Sequence, residues 1–266
     1  MKNFYLSILI LSCLAITSCT RYYYKPNGVN VPLLTDAGDV HVDVNGSFNS
    51  ETYNNGNSNA MNIIGVEASG SPLKHLGLMA NYYSYNYTTT QPDVLNGNIN
   101  ARAYLVDFGV GGYYAVGGGK IKMVVDMYGG WGLGNIRSDI NADVTRMFLQ
   151  PGIGMRSPWF DVAFAPRIVN LGYSNFNANG HDLAYLESRG LIEQGGSRID
   201  QRRYTFFEPS ITMRAGYKFA KVQLQYVLSA PMSAMSWHHS PGRFSVGFYF
   251  SVEDVVSTIR NANPVQ

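Results

Sequence analysis

The residues of this 266-residue chain with types suited to chemistry are five histidines and the acids and hydroxyls beside them: His41, His75, His181, His238 and His239. His181-Asp182 sets an imidazole next to a carboxylate, and Trp237-His238-His239-Ser240 sets two imidazoles next to a hydroxyl. A His oriented by an Asp is an acid–base pair for hydrolysis, as in outer-membrane proteases or lipid deacylases, and a neighbouring Ser is a nucleophile it could activate. Ser236 and Ser240 are two of many hydroxyls, so the spacing does not choose a nucleophile. Polar loops also carry His without any function. The adjacent His238 and His239 would hold a metal only adventitiously, and no resident metal or cofactor is expected. The chain has no HExxH, paired CxxC, GxSxG or GxxxxGK[ST] motif.

The two cysteines carry a different message. Lys2 precedes an apolar run over 4–16, and Thr17-Ser18-Cys19 follows it. A charged start, a short apolar run and small residues make an export signal, too short to span a bilayer as a helix. Ile16-Thr17-Ser18-Cys19 resembles a bacterial lipobox, in which the Cys becomes the first mature residue and carries lipid. A similar triplet precedes Cys13, but cleavage there would leave a very short apolar run. Cleavage before Cys19 removes Cys13 and leaves the mature chain without a disulfide partner, which favours lipidation over an ordinary secretory signal. No later stretch reaches 18 apolar residues.

The elements that must position these groups follow from composition and periodicity. Charged residues are 14% of the chain, against about 25% in soluble domains, while aromatic residues are 13%, which excludes disorder. A net charge of +2 with no basic stripe excludes a nucleic-acid partner. From Gly38 onward the period is two. In Val40-His41-Val42-Asp43-Val44-Asn45 the even positions are Val, and Phe244, Val246, Phe248 and Phe250 repeat the pattern near the end. Ten such runs are expected, at about 38–48, 60–70, 73–87, 102–116, 120–134, 143–156, 158–171, 203–218, 220–229 and 242–251. Most match the roughly 9–11 residues of a tilted membrane-crossing strand.

The connections after the even runs are tight, and those after the odd runs are longer and polar, the longest being 172–202. Turns sorted to one side and loops to the other predict a closed antiparallel outer-membrane β-barrel of about ten strands. Closure is required because an open sheet edge has unpaired backbone groups in hydrocarbon. A soluble periplasmic β-sandwich lipoprotein would use the same runs but mix its turn lengths. Aromatic girdles are expected from Tyr82, Tyr83, Tyr85, Tyr87 and Trp131 on the loop side, and from Tyr113, Tyr114, Trp159, Tyr217 and Phe219 on the turn side.

Extending the alternation assigns a lumen network to His41, Asp43, Glu67, Asp107, Asp126, Arg146, Asp161, Arg167, Glu208, Arg214 and Arg243, with His75, Lys122, Arg156 and Lys221 on the same face. Ten strands leave a narrow interior, expected to be filled by paired polar side chains; a narrow passive pore for small solutes is the alternative. Gly109–Gly112 and Gly129–Gly134 are expected to relieve crowding inside strands. Asp182 as N-cap and Leu183, Leu186 and Leu191 suggest a short helix in the long loop, over the mouth, folded into the lumen or against a protein partner. Residues 252–266 form a turn-side tail with a short helix.

The mature start reads Tyr24-Lys25-Pro26-Asn27-Gly28-Val29-Asn30-Val31-Pro32-Leu33-Leu34, with Gly38-Asp39 before the first run. This resembles a leader of Bacteroidota outer-membrane β-barrel proteins and lipoproteins, and the resemblance implies an outer-membrane location without any catalytic residue to carry over. Two Pro and the lack of alternation exclude the leader from the sheet. It is expected to be extended, across the turn-side mouth or inside the lumen. The organisation read from sequence is a signal at 1–18, a leader or plug at 19–37, a barrel at 38–251 and a tail at 252–266. The expected role is structural or partner- or ligand-binding, in contact with outer-membrane lipids, with a rim hydrolase as a further alternative. An even strand number puts both barrel ends on the turn side, so a lipid on Cys19 is expected at the periplasmic face.

Overall fold

The computed structural model describes residues 22–52, 58–90, 98–193 and 196–262. Its wall is built from β1 (Val40–Thr52), β2 (Ser58–Leu73), β3 (Leu76–Thr90), β4 (Asn98–Val116), β5 (Lys122–Arg137), β6 (Asn141–Arg156), β7 (Phe160–Asn177), β8 (Arg203–Tyr217), β9 (Ala220–Leu228) and β11 (Gly242–Ser251). Each pairs antiparallel with its neighbour in sequence, and β1 pairs with β11 to close the cylinder. The two-residue β10 (Ala230–Pro231) pairs with Phe206 and Phe207 of β8 beyond the end of β9. The barrel is therefore closed, antiparallel and ten-stranded, which excludes the sandwich. Among the described residues no helix is long and apolar enough to cross a membrane.

The period-two pattern is turned inside out relative to a soluble protein. Along β11, Arg243, Ser245, Tyr249 and Ser251 are buried in the lumen, while Phe244, Val246, Phe248 and Phe250 are exposed on the outer wall. Phe108, Trp131, Ile153, Ile211 and Tyr226 continue the outer band on other strands. Such a continuous apolar surface is far larger than a water-soluble monomer tolerates, whereas hydrocarbon solvates it. Inward glycines let large lumen groups lie against the wall: a Cβ on Gly132 would fall 1.9 Å from Asp107 Oδ1.

Several expectations need correction. The β5–β6 connection is a tight turn over 138–140, because both strands extend beyond their alternating runs. Of the expected loop-side girdle, only Tyr82 and Trp131 face outward, and Trp131 sits within β5 rather than at its end. Tyr83 is buried in the lumen, and Tyr85 and Tyr87 line its loop-side part, since alternation sends odd positions of β3 inward. Tyr113 is likewise buried, whereas Tyr114, Trp159 and Tyr217 are exposed. Trp159, Tyr217 and Phe219 pack edge to face near the turn side. His75 is not a lumen residue: it sits exposed in the β2–β3 turn at φ 67° and stacks on Tyr114.

The tail helix is α2 (Val252–Ala262), directly after β11 on the turn side. The long loop holds α1 (Leu183–Ser188), whose N-cap Asp182 accepts from the Tyr185 N–H.

Candidate functional site

The leader has no helix or strand over 25–35, turns through Leu33 at φ 48°, and runs through the lumen of the barrel. It has no strand partner inside, so its backbone groups bond to lumen side chains. Val29 N–H donates to Gln225 Oε1 at 2.9 Å, and the same amide returns a bond to Val29 O at 2.7 Å. Gln150 donates to Asn30 O, Arg214 to Val31 O and Arg167 to Gly28 O. Tyr83 Oη also donates to Gly28 O, and a Cβ on Gly28 would fall 2.3 Å from Glu67 Oε1, so only glycine passes here. Val29, Val31, Leu33 and Leu34 fill the space among Tyr113, Val124, Ala163 and Val227.

Asn27 is the centre of the charge network. Its Nδ2 donates to Asp107 Oδ2 at 3.1 Å, and its Oδ1 accepts from both Arg146 and Arg167. Arg146 pairs with Asp107 at 2.7 Å and Arg167 with Glu208 at 2.6 Å. Tyr24 Oη closes the set on Glu208. Lower down, Arg214 pairs with Asp43 at 3.3 Å and Lys221 with Asp161 at 2.6 Å. Arg243 donates to Asn45, which donates to Glu67. Asp126 is buried under Gly152. All eleven residues assigned to the network are thus buried in the lumen. Ion pairs hold Asp43, Asp107, Arg146, Asp161, Arg167, Glu208 and Arg214 there, since an unpaired buried charge is costly, while Glu67 and Arg243 bond to neutral side chains. Charge alone does not single out the neutral residues that grip the leader or centre its network: Asn27, Gln150, Tyr83 and Gln225. The same alternation already places Gln150, Tyr83 and Gln225 on the inward face.

At the turn-side mouth, His41 Nδ1 meets Pro32 O at 2.6 Å and Nε2 meets Glu253 Oε1 at 2.9 Å. Asp39, His41 and Glu253 converge within 4.8 Å of one another, a spacing that suits a cation. Arg156 supplies that positive charge, at 3.0 Å from Asp39 and 2.7 Å from Glu253. Burial opposes ionisation of Glu253, but the His41 bond, the Val40 N–H and the Ser251 hydroxyl outweigh it and hold the carboxyl well below the usual range. Lys122 lies at the same mouth, 2.8 Å from Asp36.

At the loop-side mouth, Tyr23 and Tyr24 meet the two long loops. Tyr24 packs on Phe206 at 4.6 Å between ring centres, and Trp237 packs edge to face on Tyr173 and Tyr204. Leu186, Leu191 and Ile199 join this cluster, so 178–193 and 196–202 cover part of the mouth. A cavity of about 100 Å³ remains beside Tyr22–Lys25 against β2–β7, lined by Tyr85, Tyr87, Arg102 and Tyr173 among others.

Among the described residues the rim candidates have the following partners. Asp182 is bonded to the Tyr185 N–H as a helix cap, and the His181 ring stacks on Tyr185 at 3.9 Å. Ser240 Oγ donates to Gly242 O, and Ser240 N–H to Tyr24 O. His239 rests on Phe206, and burial lowers its basicity from the ordinary value; His238 is exposed. Cys19 lies outside the described residues. Tyr22, three positions later, sits at the loop-side mouth. From there the leader crosses the lumen to the turn side.

No protein-family model matches the chain, and no curated protein matches it. Solved structures with similarity include the translocator domain of autotransporter NalP from Neisseria meningitidis, at 10% identity and TM-score 0.40, covering 84% of this chain and 89% of that one. The COG4313 outer membrane channel from Pseudomonas putida F1 gives 10% identity and TM-score 0.42, covering 85% of this chain and 100% of that one. The transport unit of the autotransporter AIDA-I from Escherichia coli gives 12% and 0.37, covering 80% and 89%. At such scores the barrel assignment rests on the strand pairing described above.

Proposed function

We propose that this protein is a lipid-anchored outer-membrane barrel, plugged by its own leader, that serves as a structural or partner-binding platform rather than an open passage. The observation that carries this reading is the leader in the lumen: its backbone is bonded to four different wall strands. A passive pore needs that volume for water and solute. The outer apolar band supports the membrane location, and the lipobox-like tetrad before residue 20 supports the anchor. The surface offered to a partner is the loop-side cap of 178–193, 196–202 and 229–241, with α1 carrying the exposed Leu183.

Full-length protein reconstituted in a planar bilayer tests the reading. The expected result is a barrel that shifts between unboiled and boiled lanes of an SDS gel yet adds no steady ion conductance. Stable single-channel openings from the folded, intact chain would overturn the plugged platform in favour of the pore.

A further inference from the structure

We propose that the leader is a transmembrane thread that delivers the segment before Tyr22 to the loop side of the membrane, so that an acyl group on Cys19 sits in the loop-facing leaflet. The proposal rests on the anchored-barrel reading for the acyl group and for the outward orientation of the loops.

Both ends of the thread are tied to fixed parts of the wall. At its start, Tyr23 N–H donates to His238 O at 3.0 Å and Ser240 N–H donates to Tyr24 O at 2.9 Å, both in the connection before β11. Tyr23 Oη donates to Asp139 at 2.9 Å, in the β5–β6 turn. These are loop-side connections. At its end, Gly38 N–H donates to Ser71 O at 2.7 Å, near the β2–β3 turn, and Asp36 meets Lys122 where β5 begins. These are turn-side positions. Contacts between the two ends descend in order, Asn27 to Asp107, Asn30 to Asn81 and Pro32 to His41, so the chain crosses once without doubling back.

Length decides the rest. Cys19 is three residues before Tyr22, and three residues reach at most about 11 Å. The apolar band of such a barrel is about 25 Å tall. An acyl group on Cys19 therefore cannot return to the turn-side leaflet while Tyr23 and Tyr24 hold their places. The leader's start and α2 lie on opposite faces of the same membrane. A lipid so placed also locks the plug: withdrawing the leader toward the turn side would drag acyl chains through the polar lumen.

The test uses the full chain in cells, with a short epitope inserted between Arg21 and Tyr22. Two reference insertions are made at Gly180, in the long loop, and at Gly118, in the β4–β5 turn; a Cβ at either would meet nothing within 4 Å. An unboiled gel confirms that each variant is folded, and antibody binding is read before and after permeabilisation. The expected result is binding to the upstream and Gly180 tags on intact cells, and to the Gly118 tag only after permeabilisation. An upstream tag that behaves as the Gly118 tag does overturns the thread. If the Gly180 tag is hidden and the Gly118 tag exposed, the orientation is wrong, and the thread stands only if the upstream tag is hidden too. Labelled palmitate tests the anchor separately: label lost in Cys19→Ala supports it, and no label on the wild-type chain overturns the seating of a lipid.

Discussion

Asn27→Leu isolates the hold of the lumen on the leader. The two side chains share one branched skeleton of four heavy atoms, while both amide functions vanish. Two guanidinium donors lose an acceptor, from Arg146 and Arg167, and Asp107 loses a donor. Hydrogen bonds to charged groups contribute roughly 1.5–3 kcal/mol each, so the two guanidinium bonds set a loss of about 3–6 kcal/mol. Arg146 keeps Asp107 and Arg167 keeps Glu208, and water can enter the vacated site, which favours the lower end, about 3 kcal/mol. At 1.4 kcal/mol per decade this is roughly a 100-fold rise in the undocked fraction of the leader. Hydrogen exchange by mass spectrometry reads it directly, because Val29 N–H is protected by Gln225. Leader amides should exchange about 100-fold faster, with the amides of β4 and β7 within threefold of wild type. Leader exchange within threefold of wild type would refute the network as the clamp. Equal acceleration in the strands would show a general destabilisation instead.

Three further outcomes follow from the same contacts. Deleting 22–34 should lower the temperature at which the unboiled gel band converts to the unfolded one, since the wall loses its internal partner; an unchanged midpoint would refute the plug's structural role. Glu253 has a depressed pKa, so its contribution to docking α2 is present above the ordinary carboxylate value and fades as pH falls through its lowered one. A fluorophore on Thr258→Cys should therefore report a docked helix from pH 8 down to about pH 4.3, the ordinary Glu value, with release only in stronger acid; release already complete at pH 6 would refute the carboxylate as the latch. Gly111→Ala should prevent the heat-shifting form, because its Cβ would fall 2.1 Å from Met127 O in the paired strand, whereas Gly118→Ala should behave as wild type; equal yields of folded barrel would refute the close-approach argument.

Strand existence and face were legible in the residues because both are local. A residue's neighbours two positions away share its side of a strand, so Val40, Val42 and Val44 against His41, Asp43 and Asn45 declare one apolar and one polar face without any tertiary information. The sorting of short turns from long loops then pointed to a barrel, and alternation carried the eleven network residues to the inward face. Strand ends were less legible: β5 and β6 continue through polar residues to a tight turn at 138–140, because ladder pairing extends past the hydrocarbon where apolarity is no longer needed.

Tertiary structure alone decided what the polar face meets. The leader bonds Gln225, Gln150 and Arg214, which lie 120 to 196 positions away in the chain, and no local pattern encodes such pairings. The same holds for the rim. His181-Asp182 reads as an acid–base pair in one dimension, but helix geometry turns the carboxylate to the Tyr185 N–H and lays the imidazole on the Tyr185 ring. The direction in which the leader crosses from Tyr22 to Asp36 is likewise a property of the closed lumen, because such a segment has no preferred direction until side chains at both mouths hold its ends.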